Sequence, residues 1–405
     1  MNEGKYIFTQ VTSLVPRQIF QRLVKKYNGD YRVREFNCTN QLKYMLFGQL
    51  MPCDSLRDIC LCLGKHEKIL YGLGMTTSVN ESSLSRANES RDYRIYEGLG
   101  LALIKIVRPL YSKQRIEYIF PQDHELFALD STTISCSIAL MGWALGKYSK
   151  GAVKMHTLID LRGSIPAFIS ISDGRKHDSK VLDEINIVRN AIYTMDKAYV
   201  AFKSLARFDA EGAYFVLRAK TNMKYEIESS NFNFDPKTGV HGDHITRLTG
   251  YKSRKEYPKD LRLIEFCDLE SGEELQFITN ITDQLELNGL EIANIYRHRW
   301  DIESFFKLIK GNLTVKHLLG CSENAVKTHL WIAIIAYLLL ARVKALYKSP
   351  YSITEIGTLV KVYGLVRMDL KQLVTEPQPL ILNQDVNELT LFCKINASVV
   401  VTNYY

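Results

Sequence analysis

Leu126-Phe-Ala-Leu-Asp-Ser-Thr-Thr-Ile134 decides the fold of this chain. An apolar run that gives way to an aspartate and hydroxyl side chains predicts a strand ending in polar residues. Val153 to Leu161 and Ser164 to Ser172 read as two further strands around the turn Arg162-Gly163. A helical segment is expected from Ser179 to Ala191, then the strand Ile192-Tyr-Thr-Met-Asp196, a helix over Ala201–Ala210 and the strand Ala213-Tyr-Phe-Val-Leu-Arg218. Three consecutive strands followed by helix, strand, helix and strand form an α/β order, suited to a mixed sheet covered by helices.

Towards the C-terminus, residues 221–285 become polar, turn-rich and alternating, with strands expected near His244–Leu248, Leu261–Phe266 and Leu275–Asn280. They read as a β-rich insertion. A helix from about Leu287 to Gly311 follows, then a helical tail containing 323–347 and 352–374. The longest apolar run, Leu330 to Ala341, has twelve residues, too few to span a bilayer as a helix, and is expected as a buried helix. Towards the N-terminus, residues 5–120 read as mostly helical. Apolar side chains recur at helical spacing in Ile19, Leu23 and Val24, in Leu42, Met45, Leu46 and Leu50, and from Leu99 to Val107. Pro16, Asn28-Gly29, Pro52 and Gly72-Leu-Gly74 punctuate them.

Charge gives the N-terminal third a task. The chain has 405 residues, 52 Lys+Arg against 44 Asp+Glu, a net +8, and 46% hydrophobic residues, which excludes disordered, collagenous and low-complexity classes. Residues 1–120 hold 18 basic and 11 acidic side chains, and residues 121–405 hold 34 and 33. The surplus therefore points to an N-terminal module that meets an anionic partner. Within it, the stretch from Val79 to Arg94 opens with an Asn/Ser cap signal, continues as a helix and exposes Ser85, Arg86, Asn88, Arg91 and Arg94. Such a set can contact phosphates and base edges, or form a solvated charged face. The eight cysteines (Cys38, Cys53, Cys60, Cys62, Cys136, Cys267, Cys321 and Cys393) have no zinc spacing; Cys60 and Cys62, in an apolar run, are expected as buried thiols, and the unpatterned set fits a reducing, intracellular compartment. The opening Met-Asn-Glu-Gly-Lys-Tyr has no hydrophobic core of a signal peptide.

The chemistry is expected at the strand ends. Asp130 and Asp196 each stand at the C-terminal end of a strand, where ligand sites of open α/β sheets collect. Aspartates commonly cap turns there, but two at equivalent ends favour a hard divalent cation. The helix Tyr296-Arg-His-Arg-Trp-Asp-Ile-Glu-Ser-Phe-Phe-Lys-Leu-Ile-Lys310 supplies a third carboxylate. At about 100° per residue, Tyr296, Arg299, Glu303 and Lys310 fall on one stripe roughly 60° wide. Ile295, Ile302, Phe306 and Ile309 lie beside it and would aim the stripe into the fold.

Tyr296-x2-Arg299-x3-Glu303-x6-Lys310 resembles the Tyr-Arg-Glu-Lys signature of the DDE transposases of bacterial insertion sequences, the "IS-four" type. Leu129-Asp130-Ser131-Thr132 is similar to the family's first-aspartate strand, and Thr194-Met195-Asp196-Lys197-Ala198-Tyr199 to its second. Lys154-Met-His156 and Arg175-Lys-His177-Asp178 resemble segments found between the two aspartates. The likeness covers roughly residues 125–345 in order. It implies an α/β, RNase H-like mixed-sheet core at 121–345, interrupted by the β-rich insertion at about 221–285. A helical DNA-binding domain at 1–120 would precede it and a helical C-terminal tail at 346–405 would follow.

The resemblance also implies the reaction. Asp130, Asp196 and Glu303 would ligate two Mg²⁺, with Mn²⁺ able to substitute, and Tyr296, Arg299 and Lys310 would bind phosphates near the scissile bond. Water cuts at the element's end, and the freed 3′-OH then attacks target DNA. The partners are the double-stranded terminal inverted repeats and target DNA, in a synaptic complex of at least a homodimer, with no membrane. The place is the bacterial cytoplasm, associated with the nucleoid when DNA is bound. Two alternatives stay open: an RNase H-like DNA nuclease without strand transfer, and an inactive DNA-binding regulator.

Other side chains have competing readings. Asp178 is expected as a helix N-cap, with His177 either near the site or incidental. Lys154 and His156 share a strand face that lines a DNA channel or is simply exposed. Trp300 is expected to be buried in packing, with stacking on an unpaired base as the rival. Asp301 falls well off the stripe. Lys252, Arg254, Lys255 and Lys259 form a basic run that tracks DNA backbone or is a solvated loop.

Overall fold

Strands β1 (Leu126–Cys136), β2 (Gly151–Asp160) and β3 (Ile165–Asp173) form an antiparallel meander, and β4 (Ile192–Met195) and β5 (Tyr214–Arg218) add parallel to β1 on its other side. The computed structural model describes residues 4–65, 67–112, 124–136, 143–144, 151–282, 287–311, 313 and 318–376. Alternation along β1 sends Leu126, Ala128 and Ile134 to one apolar layer and Phe127 and Leu129 to another, the latter shared with Leu182, Tyr193 and Phe208. The expected α/β sheet of RNase H-like order is thus present. Insertion strands β6 (Tyr225–Ser230), β7 (Val240–Leu248), β8 (Leu261–Cys267) and β9 (Glu274–Thr279) extend it, giving the order β3-β2-β1-β4-β5-β9-β8-β7-β6. Three of these match the strands read from the sequence. Strand β6 was not anticipated, because its face is almost wholly exposed and carries little apolar signal.

Seven helices come first: α1 (Ile7–Thr12), α2 (Arg17–Lys26), α3 (Cys38–Leu50), α4 (Leu56–Gly64), α5 (Glu67–Gly72), α6 (Glu81–Ser90) and α7 (Arg94–Val107). Next come α8 (Phe202–Ala210), α9 (Tyr251–Glu256), α10 (Gly289–Arg297), α11 (Asp301–Gly311), α12 (Glu323–Tyr347), α13 (Ile353–Tyr363) and α14 (Leu370–Thr375). The run Leu330–Ala341 is the centre of α12 and is buried throughout, as expected. It packs on α3, α6 and α7. At Gly100 the approach is so close that a Cβ would stand 2.7 Å from the Trp331 ring. Segments distant in sequence meet here too: the Ile7 and Phe8 amides donate to the carbonyls of Val366 and Gly364, and Tyr111 donates to the Ala341 carbonyl over 2.7 Å. The helical body thus draws on segments before and after the sheet.

Several expected elements differ. Residues 179–191 form no α-helix: a 3₁₀ helix over Asp178–Glu184 gives way to extended chain at Ile185. Ile185, Ile187 and Val188 are β-branched and disfavour helix, and Arg207 binds the freed carbonyls of Leu182 and Ile185. The helix opening at Asn80 stops at Ser90 rather than running to Arg94. The segment 352–374 divides into α13 and α14, since the backbone between them pairs with residues 7 and 8. The long helix read over 287–311 is α10 and α11 joined by a 3₁₀ turn, His298–Trp300. Residues 377–405 of the tail, with Cys393, and 113–120 of the N-terminal region lie outside the described residues.

Candidate active site

Register places the first two carboxylates. Strand β1 continues to Cys136, so Asp130 is not at its end as anticipated, but the parallel ladder with β4 stops at Leu129↔Met195. Asp130 and Asp196 are therefore the next residues beyond the last paired rung. Asp196 opens a short 3₁₀ turn, Lys197–Tyr199. Glu303 lies in the first turn of α11, where a carboxylate is favoured by the helix dipole.

Arg299 joins them. Its Nη1 donates to Asp130 Oδ2 over 3.0 Å and its Nη2 stands 3.7 Å from Glu303 Oε1. The guanidinium is nearly buried, lies over the rings of Tyr296 and Trp300, and leaves its Nε without a partner. The Tyr296 hydroxyl reaches Asp196 Oδ1 at 3.5 Å, and its ring packs on Phe277 with centroids 4.7 Å apart. Burial raises the Tyr296 hydroxyl above its usual range. Burial likewise raises the Asp130 carboxyl; the Ser131 amide and Arg299 oppose this, and the charges of Asp196 and Glu303 add to it. Negative charge at this place exceeds what one guanidinium balances.

Asp130, Asp196, Tyr296, Arg299 and Glu303 line one cavity of about 430 Å³. The 3₁₀ turn does not separate them. Lys310 lies two turns farther along α11, half-buried, and is not among the residues lining that cavity. Trp300 is 57% exposed at the rim, correcting the expectation of a buried ring. Asp301 pairs with His298 outside the site, as its wheel position implied. Sequence reading missed Arg218, Asp268, Glu273 and Arg297, which also line the cavity. Arg218 ends a parallel strand, a signal that could have been used. Asp268 and Glu273 come from the β8–β9 turn and are placed only by the pairing of the insertion with β5.

As for ion binding, no three His, Cys, Asp or Glu side chains among the described residues are gathered tightly enough to cage a metal. Arg299 stands among the carboxylates instead. The donor set nonetheless fits a hard cation: three carboxylates face one polar cavity, one of them desolvated beside two like charges.

Behind Asp130, on the opposite face of β1, lies a second polar group. Asp178 does not cap a helix as anticipated; that place is taken by His177, whose ring accepts from the Ser179 amide. The Asp178 carboxylate accepts from Ser131 Oγ at 2.7 Å and Lys154 Nζ at 2.8 Å. Lys154 is largely buried and His156 wholly so, so neither is exposed.

In the helical body, Asn88 and Arg91 are interior rather than exposed, both bonded to Gln41 at 2.8 Å. Arg86 and Arg94 are exposed and Ser85 partly so. Lys252, Arg254 and Lys255 are exposed on α9, and Lys259 pairs with Asp209. Lys252 shares a groove of about 630 Å³ with Lys203, Lys220 and Lys224.

Comparison with known proteins completes the description. A family model described as "Transposase DDE domain" matches residues 121–339, and one for a domain of unknown function (DUF4372) matches residues 3–76. The chain is 30% identical over 341 residues to a probable transposase for insertion sequence element IS5377 of Geobacillus stearothermophilus, covering 84% of this chain and 85% of that one. It is 30% identical over 266 residues to a protein of Synechocystis sp. assigned to insertion sequence element IS4SA as its transposase, covering 65% and 71%. Transposase InsG for insertion sequence element IS4 of Escherichia coli is 24% identical over 156 residues, 36% of this chain and 34% of InsG.

Proposed function

This chain belongs to the family of insertion-sequence transposases with a DDE domain and is a DNA transposase; on that premise we propose that Asp130, Asp196 and Glu303 are its metal-holding carboxylates. The observation that carries this reading is their convergence, from β1, β4 and α11, on one cavity with Arg299 and Tyr296. Such transposases work with divalent metal ions. These carboxylates would hold two Mg²⁺, replaceable by Mn²⁺, which would supply activation of the attacking oxygen and stabilisation of the leaving one in in-line phosphoryl transfer.

The protein's own groups bind and orient the DNA. Arg299 presents a planar fork suited to a phosphate, and exchanges Asp130 for it when the strand enters. Tyr296 donates its hydroxyl, kept protonated by burial. Lys310, outside the cavity, holds a phosphate farther along the strand as a point charge. Trp300, exposed at the rim and backed by Arg299, is available to an unstacked base. The catalytic core spans 121–345, with the insertion at about 221–285 and the tail at 346–405. Residues 1–120 dock the inverted repeats through their basic surplus, and the groove of Lys203, Lys220, Lys224 and Lys252 tracks a DNA backbone. Two chains, one per element end, cut and then join the 3′-OH ends to target DNA. This happens in the bacterial cytoplasm, on the nucleoid.

The test is cleavage of a duplex carrying the element's end, followed by joining to a plasmid. Asp130→Ala, Asp196→Ala and Glu303→Ala should each abolish both steps with Mg²⁺ while retaining end binding. Full cleavage by any one of them refutes the assignment, and cleavage without joining by the unaltered protein makes it a nuclease.

A further inference from the structure

Strand β1 is held unevenly around Asp130. Through Leu129 it has neighbours on both edges, β2 and β4; from Asp130 to Cys136 only the β2 ladder continues. A carboxylate that must sit at a fixed place is thus carried by a strand losing one of its two supports.

Asp178 stands where the support is lost. Its carboxylate takes the Ser131 hydroxyl on β1 at 2.7 Å and the Lys154 ammonium on β2 at 2.8 Å, so it ties the two strands together from the face opposite Asp130. Ser131 connects this tie to the site: its backbone N–H donates to Asp130 Oδ1 over 2.7 Å. Oδ1 is thereby fixed by β1 itself while Oδ2 is held by Arg299. The charge pattern behind the strand is consistent. Burial pushes the Asp178 carboxyl up, but Lys154 and Ser131 outweigh it and hold the group below the ordinary carboxylate range. Burial brings the adjacent His156 down to about 4, and Lys154 is the cation hydrogen-bonded to Asp178.

We propose that Asp178 and Ser131 are positioning residues that lock Asp130 in the orientation required to hold a divalent ion. Neither touches the substrate or the ion. They act as outer partners of a metal ligand do, by fixing its direction. Lys154-Met-His156 and His177-Asp178 thus contribute a brace, not a part of the DNA channel. The inference rests on the assignment of Asp130 as a metal ligand.

The experiment titrates full-length protein, without DNA, with Mn²⁺ followed by electron paramagnetic resonance, alongside thermal melting. Asp130→Ala should lose the site. Ser131→Ala and Asp178→Ala should bind Mn²⁺ about 10 to 100-fold more weakly, and Ser131→Thr, which keeps the hydroxyl, should restore binding. If Asp178→Ala melts early, Ser131→Ala, a smaller change, decides. A folded Ser131→Ala that binds Mn²⁺ at the strength of the unaltered protein, when Asp130→Ala does not, overturns the brace and leaves the assignment of Asp130 standing. Undiminished binding by Asp130→Ala overturns both.

Discussion

Two arginine–aspartate pairs, whose aspartates lie on the same nine-stranded sheet, are finished to different degrees. In the insertion, Arg262 on β8 and Asp243 on β7 meet through two 2.8 Å bonds, are almost fully buried, and Arg262 spends a further N–H on the Leu287 carbonyl. Every demand of that pair is met within the protein. Beyond the last rung of the β1–β4 ladder, Arg299 faces Asp130 with one 3.0 Å bond, stands near Glu303, and keeps Nε without a partner in a cavity open to solvent. A saturated buried pair supports the fold, because leaving either charge unpaired is costly. An unsaturated one, with carboxylates in excess, has capacity for something the chain does not contain.

That contrast is broken or sharpened most strongly by Asp196→Ala. Asp196 belongs to the unsaturated centre, so its loss should lower end cleavage by about 10⁴-fold or more, the scale seen when a group acting in the transition state is removed. Urea unfolding should be nearly unchanged. A variant that instead unfolds early would make the centre structural, like its counterpart in the insertion.

Arg262→Met is the converse. It strands Asp243 in the interior and should cost about 3–5 kcal/mol of stability, read by urea unfolding. The double variant Arg262→Met, Asp243→Leu should recover most of that loss, since the charge itself is then gone. Failure to recover would show that the pair does more than satisfy itself.

Arg299→Gln comes third. Asp130 and Glu303 retain contact with water, so stability should change by about 1 kcal/mol or less. Cleavage should fall by about 10² to 10³-fold, as when one preorganised donor is removed from a developing charge. Equal loss in stability and rate would argue that Arg299 only holds the helix to the sheet.

The same comparison explains what could be read from residues alone. Asp196 and Glu303 were legible because a strand end and the signature spacing are local patterns; Asp130 was legible as the first polar residue after an apolar run, although its strand continues to Cys136. Their contact with one cavity depended on the β1–β4 register, which the apolar runs on both strands fix. Arg91 and Asn88 were misread as surface because their partner, Gln41, comes from a helix some fifty residues earlier. Trp300 was misread because its place beside the signature does not say which side chains will cover the ring, and it stands at the rim of the cavity. Asp178 looked like a cap, since nothing local announces that Ser131 and Lys154 will face it. Patterns within one element survive translation into structure; pairings between distant polar groups do not announce themselves.

The smallest effect follows from the charge excess itself. Burial, Asp196 and Glu303 raise the Asp130 carboxyl over the opposition of the Ser131 amide and Arg299. Its folded-state value therefore lies above that of the unfolded chain, and the native state binds the proton more tightly. The resulting stability is fully present at acid pH, below the unfolded value, and is lost as pH rises through the folded one. Asp130→Asn carries no such proton. In metal-free buffer its stability relative to the unaltered protein should rise with pH across the range just above the ordinary carboxylate value, then level off. Urea unfolding at a series of pH values reads this difference directly. A flat difference would mean that Arg299 and the Ser131 amide cancel the combined effect of burial, Asp196 and Glu303 on Asp130, and the charge excess at this centre would be refuted.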